Sequence, residues 1–115
     1  MDNQVFISYS RKDHKVISNI VEILKVSRSD LIFQDLKDIN LTDKWESKIT
    51  QAIDNCKLFF IFWCVHSKES EYVQKELTRA LSQNKVIVPI LLDKSPLTEE
   101  LSRYQSLDCT KTFVH

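Results

Sequence analysis

Glu46 stands directly after Trp45, in the first turn of a predicted helix and below a polar stretch running from Gln34 to Lys44. A carboxylate there is kept ionised by the helix amino terminus and can stabilise positive charge developing beside it. Spacing alone favours a plainer reading, an acidic residue that simply suits a first helical turn. Tyr9, Ser10 and Arg11 follow the first apolar run and offer an aromatic face for a base, a hydroxyl, and a guanidinium for pyrophosphate. For Arg11 a solvated surface charge is nearly as good an account. Asp35 and Asp38 could support the polar stretch or hold a sugar hydroxyl, although loops are rich in Asp for turn reasons. Trp45 shares a helical face with Ile49, Ala52 and Ile53, so packing is its expected role and walling a pocket the lesser one. Glu76, one turn after Tyr72, reads as a structural hydrogen-bonding residue rather than a catalytic one.

Other chemistries find less support. His14, His66 and His115 are unconnected in pattern, and Cys56, Cys64 and Cys109 contain no CxxC pair, so no metal is expected. There is no GxSxG elbow, and Cys64 lies in an apolar run where thiols are usually inert, which disfavours a serine or cysteine hydrolase. The chain contains no glycine, which excludes a Walker loop and a GxGxxG turn in their usual forms. A nucleotide would therefore have to be held by side chains.

The elements that must position these residues alternate in period. Val5 to Ile7 is a short β-rich run; Val16, Ile17, Ile20, Val21 and Leu24 then recur at helical spacing. Leu31 to Phe33 is a second strand, followed by the polar stretch and the helix carrying Trp45 and Ile49. Leu58 to Val65 is apolar without alternation, as expected of a central parallel strand covered on both faces. Ser67 could cap the next helix, with an apolar stripe of Tyr72, Val73, Leu77, Ala80 and Leu81. Val86 to Leu92 is another buried strand, in which Pro89 is awkward because it cannot donate to a ladder. A short helix over Leu97 to Tyr104 and a last strand over Ser106 to Cys109 complete the pattern. Alternating strands and helices predict an α/β domain with an open parallel five-stranded sheet of flavodoxin type, helices on both faces.

The 115 residues fit one domain, and 16 basic against 16 acidic residues give no net charge to steer nucleic acid or an anionic membrane. The odd cysteine count suits a reduced, cytoplasmic setting, the start lacks the pattern of a secretion signal, and the longest apolar stretch falls far short of the roughly 20 residues needed to span a membrane. A covering helix would ordinarily follow the last strand, and only Thr110 to His115 remain. Residues 1–115 are therefore expected to be a single domain lacking its last helix, at the start of a longer protein.

The segments VFISYSRKD, IFQDLKDINLTDKWESKI, WCVHSKESEYVQKEL and LSRYQSLDC, in this order, resemble the TIR (Toll/interleukin-1 receptor) domain family, particularly its bacterial NAD-consuming members. The resemblance covers Val5 to Cys109. It departs in the BB loop, where Leu41, Thr42 and Asp43 stand where glycine is common; Asn40 or Asp43 could supply a left-handed residue there. The resemblance implies cleavage of the nicotinamide–ribose bond of NAD+, with Glu46 as catalytic carboxylate, Tyr9, Ser10, Arg11, Asp38 and Trp45 lining the substrate cleft, and NAD+ as substrate rather than cofactor. It further implies activation by self-assembly, the BB loop (Asp38, Ile39, Asn40, Leu41) packing on a second copy to build a homo-oligomer or filament. A sensor domain in the same or a partner chain and a role in bacterial antiphage defence follow from the same likeness. The competing reading is a non-catalytic TIR–TIR interaction module; a glutamate at position 46 favours the enzyme. A response-regulator receiver shares the architecture, but Ser8, Tyr9 and Ser10, then Val65 and His66, do not supply its acidic residues.

Overall fold

Side-chain alternation along the first strand, β1 (Gln4–Ser8), sends Val5 and Ile7 to one face of the sheet and Phe6 and Ser8 to the other. Both faces are covered, which is why Val5 to Ser8 are all fully buried. The structure, a computed structural model, describes residues 4–34 and 45–111, and of Gln34, Trp45 and Glu46 the backbone only. After β1 come a 3-10 turn (Arg11–Asp13), α1 (His14–Ser27), β2 (Ile32–Gln34), α2 (Trp45–Asn55), β3 (Leu58–Trp63), α3 (Val65–Glu69), α4 (Glu71–Ser82), β4 (Val86–Leu91), α5 (Glu99–Ser102) and β5 (Leu107–Asp108). The five strands are parallel, in the order β2-β1-β3-β4-β5. That is the doubly wound order of flavodoxin type read from the sequence, with its switch point between β1 and β3.

One core layer lies under α2, α4 and α5, where Phe6, Phe59, Ile61 and Trp63 meet Ile49, Ile53, Val73, Leu77, Ala80 and Leu101. Phe6 and Phe59, register partners on adjacent strands, stack with ring centroids 5.6 Å apart. The other layer lies under α1, where Ile17 and Val21 pack on Val5, Ile7, Phe33 and Phe62. The stripe expected for α1 is thus the buried one.

Pro89 sits in β4 without loss to the ladder. Leu92 N–H donates to Trp63 O, so the even-numbered residues of β4 face β3 and Pro89 faces the other side, where pairing with β5 begins only at Ile90. The cap of α4 differs from expectation. Ser67 falls inside the one-turn helix α3, fully buried, and its hydroxyl donates to Phe62 O at the end of β3. Ser70 caps α4 instead, its Oγ accepting from Val73 N–H. Helix α4 ends in a Schellman motif: Asn84, the one described residue with positive φ (53°), donates to Leu81 O, and Lys85 N–H reaches Ala80 O. Asn does here what glycine does in most chains.

Candidate functional site

Ligands of open parallel sheets bind beyond the carboxyl ends of the strands at the switch point, which here means the loops after β1 and β3. A cavity of about 300 Å³ lies there, lined by Tyr9, Ser10, Arg11 and Lys12 after β1, by His66 and Glu69 of α3, by Ser70, and by Tyr72 in the first turn of α4. Ser10 caps the 3-10 turn by accepting from Lys12 N–H and is only 6% exposed. Arg11 lies over Tyr72, its guanidinium 5.4 Å from the centre of the ring. The expected trio of Tyr9, Ser10 and Arg11 is therefore brought together. Tyr9 is nevertheless largely a core residue, packed in the α1 layer, so the aromatic face presented to the crevice is that of Tyr72.

Tyr72 also lines a second cavity, of about 320 Å³, between α2 and α4. Its wall includes Ile49 and Ile53 of α2 and Lys75 and Glu76 of α4. Glu76 is 4% exposed and accepts a 2.8 Å hydrogen bond from Ser8 Oγ at the carboxyl end of β1. Ser8 points this way because it shares the face of Phe6, on which α4 packs. Burying a charge-bearing side chain is costly unless it is satisfied, and the Ser8 hydroxyl supplies one of the hydrogen bonds that offset the cost here. The sequence favours a structural hydrogen bond over catalysis for Glu76, and a hydrogen bond is what the fold gives it, from a strand the spacing did not indicate. The signal of Glu76 was present in the sequence: a carboxylate on the same helical face as Val73, Leu77 and Ala80.

Glu46 lies in the first turn of α2 as expected, but its side chain, like that of Trp45, is outside the description, and Asp38, Ile39, Asn40 and Leu41 lie outside the described residues altogether. Asp54 of α2 accepts a bidentate pair from Arg79 of α4 at 2.8 and 2.6 Å, fixing the two helices that flank the second cavity. The Arg79 guanidinium holds the Asp54 carboxyl below the usual range. Burial, with the Asp13 hydrogen bond second, pushes the Cys64 thiol up, which argues against a nucleophilic cysteine.

The sequence matches the TIR domain family over residues 5–114. The chain belongs to that family. Among solved structures this TIR domain is similar to that of the Toll-related receptor TRR-2 from Hydra magnipapillata, with TM-score 0.79 and 23% identity, covering 94% of this chain and 86% of that one. It is also similar to the CMP N-glycosidase BcmB from Clostridium botulinum, with TM-score 0.65 and 20% identity over 91% of this chain and 88% of that one. At such identities the likeness speaks for the fold. No curated protein matches the sequence. Among the described residues, no helix of this TIR domain is long and apolar enough to cross a membrane.

Proposed function

We propose that this TIR domain is an NAD+ glycohydrolase or cyclase that breaks the bond between nicotinamide and ribose, with Glu76 as its catalytic carboxylate. The observation that carries the reading is a buried glutamate in the wall of the cavity between α2 and α4, hydrogen-bonded to a serine at the carboxyl end of β1. Cleavage of an N-glycosidic bond passes through an oxocarbenium-like state, and a fixed carboxylate stabilises that charge and can hold a ribose hydroxyl. Nicotinamide leaves as a neutral molecule from a cationic precursor, so no strong general acid is required. Water then adds to the anomeric carbon and releases one proton, or a ring nitrogen of the adenine adds instead and closes a cyclic product. Arg11, lying over the Tyr72 ring, and Lys12 line the crevice with the single carboxylate of Glu69 and leave a net positive wall for a pyrophosphate. The N-glycosidase similar in fold supports the class of reaction, since it cleaves a base from a ribose phosphate on the same architecture.

Glu46 remains the competing carboxylate. Concentrated protein incubated with NAD+ is expected to release nicotinamide, and Glu76→Gln to abolish the release while Glu46→Gln keeps it. The reverse pattern would return the catalytic role to Glu46. Release from CMP but not NAD+ would keep the reaction and replace the substrate; no release from either, by protein at high concentration, would favour the interaction module.

TIR domains commonly self-associate, and the proposal includes activation by assembly through the segment around Asp38 to Leu41. A contact between different faces of two copies builds an open filament and suits an effector that is silent when dispersed. Bacterial antiphage defence, with a sensor domain in the same or a partner chain, is the setting proposed for it.

A further inference from the structure

Chain spacing predicts no metal set, yet the fold brings together one donor atom each from Asp13, Cys64 and His66, all within 4.8 Å of one another. Cys64 Sγ donates to Asp13 Oδ2 at 2.8 Å, and His66 Nδ1 lies 2.9 Å from Asp13 Oδ1. The three residues come from two loops, Asp13 from the end of the 3-10 turn after β1, Cys64 and His66 from the chain after β3. Asp13 occupies the N-cap position of α1, where aspartate ordinarily accepts a backbone N–H, but it makes no such bond. Cys64 stands at the N-cap of α3, likewise without capping. Both side chains are turned away from their helices and toward each other.

We propose that Asp13, Cys64 and His66 form a binding site for a divalent transition metal of zinc type at the rim of the crevice. Thiolate, imidazole and carboxylate are the three donor classes of zinc sites, and three protein ligands leave a fourth position for water or another ligand. Tetrahedral zinc, with bonds of about 2.0–2.3 Å, holds its donors about 3.5 Å apart, so the cluster needs side-chain adjustment and no change of fold. The ion takes the place of the protons now shared with Asp13. The thiol proton leaves to solvent, and the imidazole carries its remaining proton on Nε2. Because His66 lines the crevice and Asp13 follows Ser10, Arg11 and Lys12, a bound ion ties the two crevice loops together. This inference is independent of the NAD+ reading, since it concerns binding alone.

Cobalt(II) titrated into the reduced protein tests it. A saturable thiolate-to-cobalt charge-transfer band with one ion per chain, displaced by zinc, is expected. Cys64→Ser should remove the band, and His66→Ala, a change at a part-exposed side chain, should weaken zinc binding by about 100-fold or more in competition with a chromogenic chelator. Circular dichroism checks that each variant is folded, and Asp13→Asn serves if Cys64→Ser is not. Absence of the band from the wild type, its persistence in Cys64→Ser, or undiminished zinc affinity in a folded His66→Ala would each overturn the proposal.

Discussion

At the scale of single residues the pair Ser8–Glu76 joins fold and proposed chemistry. Ser8 is fully buried at the end of β1 and its hydroxyl holds a carboxylate that belongs to α4. Ser8→Ala removes that hydrogen bond and should lower stability by about 1–3 kcal/mol, the usual cost of taking a partner from a buried polar group. Urea unfolding of the variant measures this; a loss below about 0.5 kcal/mol, the usual range for an ordinary surface change, would show that the bond does not hold Glu76. Turnover should fall with it, because a carboxylate free to rotate stabilises the transition state less well. None of this pairing is legible from spacing, since the two residues are 68 positions apart. What the sequence does contain is the anomaly of a glutamate among the buried positions of a helix. The cluster of Asp13, Cys64 and His66 was hidden in the same way, because Cys64 and His66 are neighbours in the chain but Asp13 joins them only through the fold.

At the scale of elements, periodicity carried most of the fold. The stripes of α1 and α2 and the unalternating runs of β3 and β4 each fell where hydrophobic spacing placed them. Boundaries set by short-range hydrogen bonds did not, as the shift of the α4 cap from Ser67 to Ser70 shows: a single extra helical turn, too short for any period, separates them. The Asp54–Arg79 pair between α2 and α4 has a pH signature. A carboxyl held below its ordinary value in the folded state contributes stability that is complete above the unfolded value, about 3.9, and disappears as pH falls through the lower folded value. Asp54→Asn should therefore lower the melting temperature at neutral pH by an amount that shrinks on acidification below about pH 4. A difference between wild type and variant that is the same at pH 7 and in strong acid would remove the pair from the account.

For the whole molecule, the strand order β2-β1-β3-β4-β5 sets the crevice after β1 and β3, and Tyr72 is the residue shared by that crevice and the cavity between α2 and α4. If assembly completes the site, nicotinamide release per chain should rise steeply with protein concentration instead of staying constant. Leu41→Arg, in the segment outside the described residues, should flatten that rise without changing the far-ultraviolet circular dichroism. A turnover per chain independent of concentration, equal in wild type and variant, would argue for a self-sufficient monomer.

Pro89 bears on how one edge of the sheet avoids indiscriminate strand pairing. Among the described residues only Ile90 and Leu91 of β4 pair with a strand on the β5 side, so the stretch from Val86 to Val88 ends in a partly open sheet edge, with Val86 itself 56% exposed. An open edge is a template for indiscriminate strand addition, and a proline whose missing N–H points outward along it removes one of the donors a foreign strand would need. Pro89→Ala should keep the fold yet scatter more light on standing at high concentration, and an unchanged aggregation rate would show that the edge is guarded by something else. Faster aggregation of the variant would make the ring that looked misplaced in a buried strand a gatekeeper against amyloid-like pairing.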